Sequence, residues 1–415
     1  METILACVAG LDVHKKFVMA CVRKTDLKTG DVSEKVMRFG TMTGELRALT
    51  DWMAAAGVTH VAMESTGVYW KPVWNILEGR FQLLLCNPRE LKQVPGRKSD
   101  VKDSQWIAHL LACGLLTASF VPGRAQRELR DLTRYRASLL DERTRLANRI
   151  QKVLEDANIK LASVATDILG LSGRDMLGAL LQGETDPDVL AELARGRLRE
   201  KIPQLKEALL GHFTGHHRFL LDHLLDHLQY LEGQLQDLNQ QIESAMDPFL
   251  DKATFERLDA IPGVNQRTIE NVVAEIGTEM SRFPTAGHLA SWAGICPGNE
   301  ESAGRRKRTA TTKGNRWLRR ALAEAARAAG RTKDSYFKAQ YSRLASRRGA
   351  NRAATAVAHS LLVVFYQLLM HPDATYKDLG PNYFDQLDPQ RVARHLVKRL
   401  QGLGYEVTIT QKSAA

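Results

Sequence analysis

The spacing of apolar residues changes once along this chain, and the change limits what it can fold into. Up to about residue 120 the apolar residues come in short runs, at 4–11, 17–22, 32–39, 60–63 and 81–86, the last closed by Asn87 and Pro88. Runs of that length bounded by turn residues read as strands. Residues 46–55 and 101–116 carry helical spacing instead. Three strands in succession, then alternating helix and strand, predict a mixed sheet with helices packed on it. From about residue 124 to 246 leucine recurs at heptad-like intervals, in 129–154 and again in 220–242, which predicts two long helices in an antiparallel or intermolecular coiled coil. Between them Gly170, Gly173, Gly178, Gly183 and Pro187 break the chain into shorter helices and loops. A further helical region opens near Phe255 and runs to about Met370. The expected class is α/β plus α, divided as 1–120, a helical coiled-coil region 121–250, a mostly helical domain 251–372 and a polar tail 373–415.

A chain of 415 residues, 44% hydrophobic and 25% charged, has room for two or three domains. Residues 1–10 lack a basic stretch ahead of their apolar run, so no signal peptide is expected and the cytoplasm is the expected compartment. The apolar run 354–370 is interrupted by His359, Ser360 and Gln367 and reads as a buried helix, with no membrane partner expected. Five cysteines, an odd number without paired spacing, argue for reduced thiols and against a disulfide framework or a zinc site. The net charge of +11 is unevenly placed. Residues 301–352 hold sixteen Lys and Arg against Glu301, Glu324 and Asp334, leaving the rest of the chain almost neutral. Such a segment calls for an anionic partner.

Four acids stand where chemistry could use them. Asp12 ends the first apolar run, Glu64 ends the run containing Val61 and Met63, and Asp100 and Asp103 open a helix at spacing i, i+3, which puts both on one helix face. Carboxylates gathered together repel unless hard cations neutralise them, and such cations polarise phosphate oxygens. Any one of these acids taken singly reads as an ordinary strand-end or N-cap residue. Order and context favour the set: Gly10-Leu-Asp-Val-His14, Met63-Glu-Ser-Thr-Gly67 and Lys98-Ser-Asp-Val-Lys-Asp103.

The order Asp, Glu, then two Asp on a late helix resembles the ribonuclease-H-like fold of the Holliday-junction resolvase RuvC. The surrounding words, with Val68-Tyr-Trp70, Cys86-Asn-Pro88 and Ala108-His-Leu110, resemble the DEDD insertion-sequence transposases of the IS one-ten family, which includes the pilin-gene invertases. The resemblance implies Asp12, Glu64, Asp100 and Asp103 as the metal-binding and catalytic acids, with Mg²⁺ or Mn²⁺ as cofactor.

In the C-terminal part, Ile261-Pro-Gly-Val264 ahead of the helical run 268–276 resembles a helix-hairpin-helix whose turn offers backbone N–H groups to phosphate, with Asn265 where a second glycine is usual. Then comes Ser302-Ala-Gly304, followed by Arg305-Arg-Lys-Arg308, Lys313, Arg316, Arg319 and Arg320. A serine beside glycine and positive charge can approach a phosphate closely and serve as nucleophile, though a loop serine is the default reading. The family resemblance implies a catalytic serine in such a loop, here Ser302, with Ser291 and Thr309 as alternatives; Ser-Ala-Gly is the form of a longer subgroup. Arg316, Arg319, Arg320, Arg327 and Arg331 fall at helical spacings along one stripe suited to a nucleic-acid backbone. His223 and His227, at i, i+4, lack a third zinc ligand, and Tyr69 and Trp70 read as core packing. The resemblance further implies a recombinase acting on DNA, sites shared between protomers of a dimer or tetramer, a covalent serine–DNA linkage and a structured guide RNA. The rivals are a junction nuclease in which Ser302 is inert and a non-enzymatic nucleic-acid scaffold.

Overall fold

Residues 7 to 86 lay down a five-stranded sheet: β1 (Cys7–Val13), β2 (Phe17–Thr25), β3 (Val32–Gly40), β4 (His60–Glu64) and β5 (Gln82–Cys86). In the computed structural model, residues 3–65, 67–88, 103–296, 300–302, 305–308, 311 and 313–410 are described, and the chain divides into two units, Met1–Pro122 and Gly123–Ala415. The strand order is β3-β2-β1-β4-β5, with β3, β2 and β1 antiparallel and β1, β4 and β5 parallel. The edge strand β3 keeps Glu34, Lys35 and Arg38 exposed, which blunts it against pairing with another chain.

Alternation along β1 sorts its side chains onto two faces. Ala9, Leu11 and Val13 pack with Leu46, Leu49 and Met53 of α1 (Thr43–Ala55) and Val73, Trp74 and Leu77 of α2 (Trp70–Leu77). Val8 and Ala62 pack on the other face with Trp106, Ile107, Leu110 and Leu111 of α3 (Asp103–Ala112). The N-terminal unit is therefore a mixed sheet between helical layers, the α/β arrangement expected of it.

The second unit opens with α4 (Arg124–Asp156) and four shorter helices, α5 (Leu161–Val164), α6 (Leu171–Gln182), α7 (Pro187–Glu192) and α8 (Ile202–Leu209), before α9 (Gly215–Met246). The two long helices lie antiparallel. Arg136 donates to Asn239 Oδ1 at 3.2 Å, Arg143 to Glu232 at 3.1 Å, and Asp156 pairs with His217 at 3.0 Å, so numbers rise on one helix as they fall on the other. Then follow α10 (Lys252–Asp259), α11 (Gln266–Ile276), α12 (Ala286–Ala293), the strands β6 (Glu300–Ser302) and β7 (Arg305–Arg308), α13 (Arg316–Ala329), α14 (Tyr336–Arg348), α15 (Ala350–Met370), α16 (Tyr383–Gln386) and α17 (Pro389–Gly402). One apolar core takes in Leu146 and Ile150 of α4, Leu228 of α9, Ile269 of α11, Leu322 of α13 and Leu361 of α15. The middle and C-terminal segments, which sequence spacing separates, thus share their packing. Helix α15 is long and apolar enough to span a bilayer, yet Val357, Leu361 and Phe365 are fully buried in this core. All five cysteines are free, as expected.

Candidate active site

The first cluster forms at the carboxyl ends of β1 and β4. The last registered pair of these parallel strands is Leu11 with Met63, and Asp12 and Glu64 each stand one residue further on. Neighbouring strands run about 4.8 Å apart, and alternation turns both acids to the face covered by α3, the face of Val8 and Ala62. Helix α3 crosses that face at Gly10: a Cβ built there would lie 2.2 Å from the Ser104 carbonyl oxygen and 2.4 Å from the Ala108 nitrogen. Gly10 is two residues before Asp12 and Ser104 directly follows Asp103. The start of α3, with Asp103 as its first residue, is thereby held over the same end of β1.

Asp12 is 21% exposed and its Oδ2 lies 3.0 Å from Nε2 of His14. His14 packs against Phe17, with ring centroids 4.5 Å apart, and Arg38 lies over the far partner of that pair, 4.2 Å from the Phe17 centroid. Sequence reasoning quoted His14 in its motif and gave it no role; the i, i+2 spacing across the strand end was the signal. Three of the expected acids, Asp12, Glu64 and Asp103, thus gather at one edge, while Asp100 lies outside the described residues. Among the described residues no three His, Cys, Asp or Glu side chains form a group that could hold a metal ion. The donor set, all carboxylate oxygen, matches the preference of Mg²⁺ and Mn²⁺ for hard ligands.

The second cluster lies in the Gly123–Ala415 unit. Where the sequence indicated a loop around Ser302, the structure has a two-stranded antiparallel hairpin, with Ser302 paired to Arg305 and Glu301 to Arg306. The strand Arg305–Arg308 has four cations and no apolar alternation, so its period could not be read from composition. Ser302 therefore occupies the last position of β6, and the basic run forms the return strand; of the side chains of Ser302, Arg305, Arg306, Lys307 and Arg308, only the backbone positions are among the described features.

The neck of the hairpin is closed by backbone packing and a buried ionic network. A Cβ at Gly314 would fall 2.3 Å from the Gly294 nitrogen, so the chain leaving the hairpin rests on the chain entering it. Next to it, Asn315 caps α13 by accepting from Trp317 N (3.0 Å) and Leu318 N (3.1 Å), and its Nδ2 donates to Glu275 Oε2 at 2.6 Å. Glu275 is 1% exposed and also accepts both Nε (2.7 Å) and a terminal nitrogen (2.8 Å) of Arg134. Arg130 donates to the Ala274 carbonyl at 2.9 Å, and burial pushes its guanidinium down to about 10. A second buried pair, Arg136 with Glu270, ties α4 to α11 beside it. Sequence reasoning missed Glu270 and Glu275: they fall within an otherwise apolar helix face, and only their distant arginine partners reveal why.

Arg316 is exposed and lies over the Trp317 ring at 4.6 Å; Lys313, Arg327 and Arg331 are exposed and Arg319 half-buried. Arg320 differs from its neighbours on the stripe: it makes two 2.7 Å bonds to Asp141 on α4 and a third, 3.1 Å, to Glu324. At the expected helix-hairpin-helix turn, Asn265 is extended (φ −138°) and caps α11 by accepting from Thr268 N at 3.0 Å, so no second glycine is required there. His217, at 8% exposure, caps α9 with Thr214, and His223 bonds the Phe219 carbonyl, which agrees with ordinary structural roles for the α9 histidines.

Comparison with known proteins fits this pair of clusters. Residues 9–159 match the DEDD transposase domain of the IS110 group, described as "Transposase", and residues 255–342 match the domain described as "Transposase IS116/IS110/IS902 family". The chain belongs to the IS110 family of transposases. Within that family it is 27% identical over 304 residues to the "Transposase for insertion sequence element IS1111A" of Coxiella burnetii, covering 71% of this chain and 72% of the relative. It is 28% identical over 254 residues to the "Insertion element IS110 uncharacterized 43.6 kDa protein" of Streptomyces coelicolor, covering 55% of this chain and 60% of that one. The first IS110 match contains Asp12, Glu64 and Asp103, and the second contains the hairpin with Ser302. As a transposase of an insertion element, the chain acts on DNA.

Proposed function

We propose that this transposase cuts and rejoins DNA by serine-mediated phosphodiester transfer, with Asp12, Glu64, Asp100 and Asp103 as ligands for Mg²⁺ or Mn²⁺ and Ser302 as nucleophile. The observation that carries the reading is the meeting of Asp12, Glu64 and Asp103 at one sheet edge, where Gly10 lets α3 lie directly on β1. The strand order β3-β2-β1-β4-β5, three antiparallel strands followed by parallel ones, supports a ribonuclease-H-like, RuvC-like assignment.

The chemistry balances without an outside reactant. The Ser302 oxygen bonds to phosphorus and gives up its proton, one sugar oxygen leaves the phosphorus and is protonated, and a hydroxyl of the exchanged strand later attacks the same phosphorus and frees the serine. Divalent ions, when bound, neutralise charge on the phosphate oxygens. Carboxylates at the sheet edge hold and orient that phosphate; Lys313, Arg316 and Arg319, with the basic strand Arg305–Arg308, hold the flanking backbone. The two clusters lie in separate units of the chain, and in this reading they complete one another in a dimer or tetramer, the long helices serving as a coiled coil. A structured guide RNA directs the choice of DNA, and the protein works in the prokaryotic cytoplasm on nucleoid DNA.

The test is strand exchange with purified protein, DNA carrying the element ends and RNA transcribed from the flanking sequence. Asp12→Asn and Ser302→Ala are each expected to abolish exchange while leaving DNA binding in place. DNA cleavage that persists in Ser302→Ala would identify a hydrolytic junction nuclease instead, and exchange that persists in Asp12→Asn would exclude the metal site.

A further inference from the structure

Beyond the transposase domains matched up to residue 342, the chain carries a helix that its own core does not use. Residues 371–386 are fastened to the body. Asp378 accepts from Tyr336 N and from the Tyr376 hydroxyl, both at 2.8 Å, and Phe384 stacks on Tyr336 at 5.2 Å with Tyr383 edge-on at the same distance. Arg343 of α14 pairs with Asp385 at 3.8 Å. From this clasp α17 starts at a well-formed cap, Asp388 accepting from Arg391 N at 3.0 Å with Pro389 in the first turn, so its direction is set where it leaves the body.

Helix α17 contains Arg391, Arg394, Lys398 and Arg399, no Asp or Glu, and no buried residue. At about 100° per residue these four cations and His395 fall on one arc, and Val392, Ala393, Leu396, Val397 and Leu400 on the opposite one. Val392, Ala393 and Val397 are half-buried, whereas all five residues of the basic arc are exposed. The apolar side is thus turned toward the chain's own body and the cationic side toward solvent.

We propose that α17 is a nucleic-acid contact element: its basic arc binds the phosphate backbone of a duplex, without base reading, and extends the cationic surface of the domain matched at 255–342. Charge complementarity decides the occupant, since an acid-free cationic arc on a DNA-acting protein fits a polyanion. A membrane surface would require the apolar arc to be free for insertion, and here part of it is covered by the body. The phosphodiester chemistry is common to DNA and RNA, and the experiment separates them. The proposal rests on the family's DNA substrate and not on the roles given to Asp12 or Ser302.

The test compares the full chain with Arg391→Gln/Arg394→Gln/Lys398→Gln/Arg399→Gln and with the charge-preserving Arg391→Lys/Arg394→Lys/Arg399→Lys, by fluorescence anisotropy on mixed-sequence duplex DNA and on a hairpin RNA of equal length. Salt is varied between about 50 and 200 mM. Neutralisation is expected to reduce the slope of log affinity against log salt by about 3 to 4 units on duplex DNA, and to weaken binding at least about tenfold. The lysine variant is expected to keep the wild-type slope. A loss on RNA with DNA unchanged assigns the arc to RNA and still supports it. An unchanged slope on both nucleic acids overturns the proposal, as does a neutralised variant that loses only phosphatidylserine vesicles or only self-association in sedimentation.

Discussion

Gly10 lies directly beneath Ser104: a methyl group on its α-carbon would fall 2.2 Å from the Ser104 carbonyl oxygen. Contact between strand and helix backbones at that one point is what brings the first turn of α3, and Asp103 with it, over the ends of β1 and β4. The glycine two residues before the first acid is therefore a spatial requirement of the acid cluster.

Gly10→Ala is expected to destabilise the N-terminal unit by about 1–3 kcal/mol, because backbone, not a flexible side chain, must move. Chemical denaturation followed by tryptophan fluorescence, which reads Trp106 of α3 and Trp74 of α2, measures this. An unchanged midpoint would mean that α3 does not rest on β1 as described.

Removal of the Glu275 carboxylate strands charge on α4. Glu275→Ala leaves Arg134 and Arg130 without their acid and Asn315 without its acceptor, and breaking a buried pair in this way typically costs about 3–5 kcal/mol. Glu275→Gln, which keeps an acceptor for Asn315, is expected to lose less. Urea midpoints of the two variants and the wild type give the order directly.

Acid is expected to loosen the tie between α13 and α4. Hydrogen bonds from Arg320 hold the Asp141 carboxyl below its ordinary range. A depressed carboxylate stabilises the fold above its unfolded value, near pH 4, and that contribution disappears as pH falls through the lower folded value. Asp141 is 45% exposed, so the pair contributes no more than about 1 kcal/mol and less at high salt. Asp141→Asn should flatten the acid limb of the stability–pH curve relative to wild type and leave stability above pH 5 nearly unchanged, apart from that small offset.

The strands of the N-terminal unit were legible because short apolar runs closed by Asn, Pro and Gly have few other solutions; residues 17–22 and 81–86 lie almost entirely inside β2 and β5. The acids Asp12, Glu64 and Asp103 could be picked out by position, but nothing local revealed that Gly10 joins them. The hairpin of Ser302 was illegible because four consecutive cations mask strand alternation. Glu275 was hidden for the opposite reason, being one acid on a buried helix face whose partners lie about 140 residues earlier, at separations of 145 and 141. Likewise Arg320 looked like one more cation of a stripe until Asp141, 179 residues away, supplied its partner.

The account stands most directly on the fate of the Ser302 oxygen. With element-end DNA, divalent ion and guide RNA, the reaction quenched in denaturant should contain protein covalently joined to DNA. Mass spectrometry of the protease digest should place a nucleotide on the peptide containing Ser302, and the adduct should be absent from Ser302→Ala and from Glu64→Gln. Cut DNA carrying no protein, formed equally well by Ser302→Ala, would contradict it.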